Sequence, residues 1–415
     1  MKLYNKIMYF LMCIYIVSLP LFYDNIKIKK VPISGDIILA LIIILYFIKV
    51  ILFRDEKKKL VQYVSDFFHN PTTIFMFILL IMMSVSVSYA KDKSLAKKET
   101  IRFLSNILLF YIVKYDFKDK INKGIFNVFV ILSMIVGIFG IVQFFTNIGL
   151  DKQFIGQYNF GVNKRIASSF GNPDTFGAFI ILAIFPIIML AIYEKNKFKK
   201  IILSLISVLL FINMILTGSR NAYLGFIIGC IILSILVSKK ILIVLFGAGI
   251  PSLLIPQVRE RILQIGSSTE NASRIKIWKT ALMMIKEHPI FGVGNGNFVS
   301  YYDDYTRKYK SLKILWHTKY PSHNSYLKVQ SELGIIGIVA FFGTLVSGII
   351  NILKFVKTTD NKYYKYFYIG FLASVAAFYI MNLADNLFFV PKATTFFWLF
   401  LAICESFKFK NKVNH

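Results

Sequence analysis

Apolar runs of roughly twenty residues, parted by short polar stretches, recur along nearly the whole chain. A run of that length is what a helix needs to cross the hydrocarbon core, where each backbone N–H and C=O must be satisfied within its own segment. The runs fall at 7–22, 36–53, 72–89, 101–114, 124–146, 175–193, 201–217, 221–238, 240–256, 324–353, 364–384 and 388–407. The pattern predicts an all-α fold, a polytopic transmembrane helix bundle of about 12 spans. It also predicts a large extracytoplasmic loop in the C-terminal third that contains an amphipathic helix.

Composition agrees. The chain is 56% hydrophobic and 17% charged, with a mean hydropathy of +0.63, whereas soluble proteins keep about a quarter of their residues charged. A net charge of +28 would by itself suggest nucleic acid. Most Lys residues, however, cluster between apolar runs, as in loops held at an anionic leaflet, so membrane lipids and not nucleic acid are the expected partner. Cys13, Cys230 and Cys404 all lie inside apolar runs and offer neither a disulfide framework nor metal-ligand spacing. The first run, preceded by Lys2 and Lys6, has no small-residue cleavage site and reads as an uncleaved anchor.

Twelve spans put both termini on one side. The segments 54–59, 114–123, 195–200, 239–240, 354–365 and the tail after 407 carry more Lys and Arg than the short loops opposite, which assigns that side to the cytoplasm. Lys27, Lys29, Lys30 and the 91–102 segment fall against the trend. The organisation expected is N-terminal spans over 1–150, a core over 151–353 with outer loops 151–174 and 257–322, and C-terminal spans with a basic tail over 354–415. Within the second loop, Ser273 reads as the cap of a helix over 274–287, closed by His288-Pro289. Ile277, Trp278, Ala281, Leu282 and Ile285 form its apolar stripe; a helix lying on the membrane and one packed on the bundle top both satisfy it.

Polar chemistry collects at the outer ends of spans, in the segments 165–174, 217–223, 273–297 and 321–334. A single arginine at a membrane boundary commonly snorkels to lipid phosphate. Three of them, Arg165, Arg220 and Arg274, opening toward one face describe a diphosphate receptor, because the planar guanidinium stays charged and binds phosphate bidentately. Arg274 opens the helix over 274–287, whose free N–H groups would add to anion binding. His323, at the start of the helix after the large loop, is the candidate general base for a sugar hydroxyl. His317 is its competitor, while His69, His288 and His415 read as structural or peripheral. The 292–297 segment GVGNGN follows no strand, so it reads as backbone approaching a ligand or crossing the bundle and not as a nucleotide loop. Asp303-Asp304 is the only outer acidic pair, a poor basis for a metal site.

The order RIASSFGNPD, TGSRNAYLG, SRIKIWKTALMMIKEHPIFGVGNGNF and PSHNSYLKVQSELGIIG resembles the bacterial O-antigen ligase and O-antigen polymerase superfamily over roughly 160–345. What the resemblance implies is a GT-C-type glycosyltransferase in the cytoplasmic (inner) membrane, acting at its extracytoplasmic face. It would take a glycan from an undecaprenyl-diphosphate carrier and pass it, with inversion, to a hydroxyl of a glycan, a lipid A core or a protein. Neither cofactor nor metal is implied. By motif matching, Arg165, Arg220 and Arg274 would hold the diphosphate and His323 would deprotonate the acceptor. Asn172, Tyr223, Asn324 and Tyr326 would line the substrate site. A ligase is the first reading and a polymerase of capsule, wall or O-antigen polysaccharide the second. The rival from another class is a transporter of lipid-linked glycans, which should place its polar groups at the bilayer midplane. Here they sit at span ends, Asn382, Asp385 and Asn386 included.

Overall fold

The computed structural model describes residues 2–414 apart from 22–26, 29–30, 33–34, 118, 159–160, 244–246, 248–258, 260–267 and 315–317. The apolar runs become helices whose ends are set by local chemistry. Helix α1 (Lys2–Leu21) is followed by a small hairpin and α2 (Gly35–Leu52). Helix α3 (Arg54–His69) joins α2 to α4 (Pro71–Tyr89) through single residues, Phe53 and Asn70. Asn70 caps α4 by accepting from Thr72 N, and Pro71 starts it, where a missing N–H costs nothing. Asp92 caps α5 (Lys93–Asp116) in the same way. Then come α6 (Asp119–Thr146), a hairpin pairing Ile155–Tyr158 with Gly161–Lys164, α7 (Pro173–Tyr193), α8 (Lys197–Thr217) and α9 (Arg220–Leu236). The remainder is α10 (Ser268–Glu287), α11 (Phe298–Lys308), α12 (Ser325–Thr358), α13 (Lys362–Met381) and α14 (Pro391–Asn414).

Helix α7 is the hub, packed by α13, α8, α9 and α14. Small residues permit the approach: a Cβ on Gly370 would lie 2.4 Å from the Phe185 carbonyl, and one on Gly177 2.9 Å from Ala222 Cβ. Pro186 has no N–H for the Leu182 carbonyl, and a Ser374 hydroxyl from α13 donates to the neighbouring Ile181 carbonyl at 2.7 Å. Around this hub the interior is aromatic, with Phe126 set between Phe367 and Phe400 at 4.3 and 5.6 Å.

Among the described residues, eight helices are long and apolar enough to cross a membrane. Three more of the twelve expected spans are helices of another kind. α9 is short, while the expected spans 101–114 and 388–407 lie within α5 and α14, which also carry charges such as Arg102 and Glu405. The expected span 240–256 lies almost wholly outside the described residues. The polar segment 54–59, expected as a loop, is instead the start of amphipathic α3. The helix expected over 274–287 begins earlier, at Ser268, so Ser273 is not its cap. It packs on the bundle top: Ile277, Thr280, Ala281 and Met284 are buried, and with Val293, Phe298 and Tyr302 they form a small second core.

Candidate functional site

The segment 321–325 is clamped to the turn 382–386 between α13 and α14. Asn324 N donates to Asn386 Oδ1 at 3.0 Å, Asn324 Nδ2 to the Leu383 carbonyl at 2.9 Å, and Ser325 N to the Asn382 carbonyl at 2.9 Å. Ser322 Oγ and Ser325 Oγ donate to Asn386 Oδ1 and Asn382 Oδ1 at 2.9 and 2.6 Å. Asn324 Oδ1 meanwhile caps α12, accepting from Tyr326 N and Leu327 N. Held from both sides, His323 adopts φ +45°, a left-handed conformation uncommon for a residue with a side chain. Its ring remains about one-third exposed, with Nδ1 3.6 Å from Asp385 Oδ1 and the Tyr320 ring at 5.7 Å. That spacing exceeds a hydrogen bond, so the carboxylate stands beside the imidazole without binding it directly.

The arginines approach from neighbouring elements. Arg165 Nε donates to the Thr217 carbonyl at 3.0 Å, and its Nη2 donates to Asp174 Oδ1 at 2.9 Å. Asn172 caps α7 there, accepting from Asp174 N and Thr175 N. Between α8 and α9, Gly218 closes one helix with φ +58° and the Ser219 hydroxyl caps the next, so Arg220 opens α9. Its neighbour Asn221 donates to the Met381 carbonyl at 2.8 Å, at the threshold of the 382–386 turn. The Tyr223 hydroxyl donates to the Ile215 carbonyl and the Tyr326 hydroxyl to the Tyr379 carbonyl. Because α10 begins at Ser268, Arg274 sits in its second turn and is not at an anion-binding helix end. One turn further on, Trp278 Nε1 reaches the His323 carbonyl at 3.4 Å. A continuous path of contacts therefore runs from Arg165 through the α8–α9 turn and residues 381–386 to His323, Trp278 and the helix of Arg274.

Asp385 is the side chain beside His323 that the sequence left unpaired with it; its polar neighbours at a span end were the available signal. The 292–297 segment crosses the bundle. Val293 N and Gly294 N donate to the carbonyls of Ser331 and Glu332, while the buried Glu332 carboxylate accepts from Gly296 N and Phe298 N at 2.8 and 3.0 Å. Lys328 Nζ pairs with the same carboxylate at 2.6 Å. Asn297 exchanges hydrogen bonds with the Asp92 backbone, and Asn295 N donates to Ser86 Oγ. Asp304 pairs with Lys91 and Arg307, and among the described residues no group of three or more His, Cys, Asp or Glu could hold a metal. His317 lies outside the described residues, and His69 is at the far end of the bundle.

Fold and site together define a multi-pass helical membrane protein whose polar chemistry gathers where helix ends meet. Residues 205–342 match the family model described as O-antigen ligase. This stretch contains Arg220, Arg274 and His323 and leaves Arg165 on its N-terminal side. Two relatives extend the likeness. A Haemophilus influenzae protein named "Uncharacterized protein" is 25% identical over 358 residues, 78% of this chain and 80% of the relative. A Rickettsia bellii protein named "Putative polysaccharide ligase" is 25% identical over 234 residues, 52% of this chain and 54% of its own length.

Proposed function

We propose that the chain is an inverting glycosyltransferase of the ligase type. It moves a glycan from undecaprenyl diphosphate to an acceptor hydroxyl at the extracytoplasmic face of a bacterial cytoplasmic membrane. The observation that carries the reading is His323, in a left-handed conformation beside Asp385, on a contact path that includes Arg165 and the helices of Arg220 and Arg274. The acceptor oxygen attacks the anomeric carbon, its proton passes to His323 Nε2, and the bond from that carbon to the diphosphate oxygen breaks. The bonding pair leaves with the undecaprenyl diphosphate, whose growing negative charge Arg165, Arg220 and Arg274 stabilise. Asn172, Tyr223, Asn324 and Tyr326 shape the site mainly by fixing the helix ends that present these groups.

The face follows from charge. Lys114, Lys354, Lys408 and the basic segments 54–59 and 195–200 belong to the end of the bundle opposite His323, which supports a cytoplasmic assignment for that end. The name of the Rickettsia relative supports ligation over polymerisation. The test is transfer by purified protein from undecaprenyl-diphosphate-linked glycan, with lipid A core, free glycan and protein offered as acceptors. His323→Ala should bind donor normally and lose at least about 100-fold in transfer. Transfer by this variant at the wild-type rate would remove His323 from the chemistry. Transfer to growing glycan alone would make the enzyme a polymerase.

A further inference from the structure

A second polar site lies at the end of the bundle opposite His323. Helix α12 rises about 1.5 Å per residue, so Ser347 to Lys354 lie roughly 40 Å along it from His323. There α12, α14, the end of α5 and the α3–α4 junction surround a cleft of ≈ 520 Å³. Its floor is electrostatically matched. Glu405, 1% exposed, accepts from Asn70 Nδ2 at 2.7 Å and from Asn351 Nδ2. Lys114, equally buried, lies 2.9 Å from Asp66 and 3.6 Å from Glu405, and Asp66 also accepts from the Tyr115 hydroxyl.

The rim is different. Lys354 is exposed, and none of the described residues forms a pair with its ammonium. Lys408 donates to Asn351 Oδ1 at 2.5 Å and lies 3.8 Å from Glu405. His69 uses Nδ1 on the Ser65 carbonyl at 2.7 Å, which leaves Nε2 for another partner. Three lysines thus line the cleft against two carboxylates, with the surplus positive charge at the mouth.

The helix that supplies Asp66 and His69 to the cleft also carries an apolar surface that a free anion would not need. Helix α3 crosses this end of the bundle between the ends of α2 and α4. Val61, Val64 and Phe68, at helical spacing, are 73%, 41% and 47% exposed. Asp66 and His69 of the same helix line the cleft. A polar, cation-rimmed cleft beside an exposed apolar stripe matches a molecule with a phosphate at one end and hydrocarbon at the other.

We propose that this cleft binds an anionic phospholipid, with its phosphate among Lys354, Lys408 and His69 and an acyl chain along the Val61, Val64 and Phe68 stripe. The site is separate from the donor site and does not depend on the transfer chemistry. The test is native mass spectrometry of the purified full chain with dioleoyl phosphatidylglycerol or dioleoyl phosphatidylcholine. Wild type should retain the anionic lipid at least about fivefold more strongly, the effect of one well-placed surface lysine.

Lys354→Gln should cut the preference severalfold, and Lys354→Gln with Lys408→Gln should remove it. Lys199→Gln with Lys200→Gln, which deletes equal charge elsewhere at the same end, should preserve it. Val61→Ser with Phe68→Ser should weaken retention of both lipids. Equal retention of the two lipids by wild type would overturn the proposal. So would an equal loss from the Lys199 and Lys200 pair, which means diffuse attraction. Displacement by millimolar inorganic phosphate with no effect of the Val61 and Phe68 changes would overturn it as well, because the occupant would then be a free anion.

Discussion

His323, the proposed base, shows how a side chain is aimed by groups far from it in sequence. Its backbone is fixed by Asn382 and Asn386, and its ring faces Asp385, all some sixty residues later. Asp385→Asn keeps the shape and removes the charge that orients the imidazole and stabilises it once protonated. The expected result is a fall of about 10- to 100-fold in kcat with the donor KM unchanged, measured by steady-state transfer kinetics. A change confined to KM would make Asp385 a binding group instead. Glu287 offers a residue-scale pH dependence. A hydrogen bond from Lys308, helped by the Tyr305 and Tyr309 hydroxyls, holds its carboxyl down at about 2 from an ordinary 4.5. The stabilisation is complete above the ordinary value and disappears as pH falls through the depressed one. Hydrogen exchange should therefore show α10 and α11 loosening between about pH 4.5 and 2. Glu287→Gln should be flat across that window. The effect is small, since the pair is partly exposed to solvent.

Among the elements, the joint between the 288–298 segment and α12 is made of backbone. Gly334 adopts φ +65°, ψ −161° inside α12, and a Cβ there would lie 2.0 Å from the Ile290 carbonyl oxygen. A Cβ on Gly292 would meet the Glu332 carbonyl carbon at 2.3 Å. Neither clash can be relieved by turning a side chain. Gly334→Ala should lower the thermal midpoint of the purified protein clearly, by a destabilisation of at least about 1–3 kcal/mol. Gly343→Ala meets only the Phe75 ring, which can rotate, and should cost less. A midpoint for Gly334→Ala equal to wild type would mean that the joint is dispensable. The run GVGNGN announced a close backbone approach, and its glycines at positive φ are the reason. The start of α10 was not legible. Ser273 has the chemistry of an N-cap, and the polar residues 268–272 read as loop although they belong to the helix. Helix α3 was hidden likewise, because the opening RDEKKK resembles a charged loop and its apolar stripe begins only at Leu60 and Val61.

For the whole molecule, hydrophobic runs sufficed to place most spans, because a bilayer leaves a backbone few alternatives. Counting them was harder where helices carry charge: α5 holds Lys93, Lys97, Lys98, Glu99 and Arg102 besides Lys114, and α14 holds Lys392, Glu405 and Lys408, so both fail a simple apolar criterion. The arginines and His323 were legible as motifs. The contact path that links their elements was not, since it depends on α7, α9 and α13 packing closely enough for Asn221 to reach the Met381 carbonyl. The same holds for Asp385, whose partner is set by how the last two helices turn.

That turn has a consequence for the history of each molecule. The ribosome makes Arg165, Arg220, Arg274 and His323 well before it reaches residues 382–386, and synthesis proceeds at only about 5–20 residues per second. Until α13 is threaded and the turn emerges, the segment bearing His323 lacks the bonds that hold its backbone. On the proposed reading, a nascent chain with its arginines already in place would still be inert. On that reading, competence arrives only once α13 and the 382–386 turn have been threaded, so activity would certify that this part of the bundle is in place.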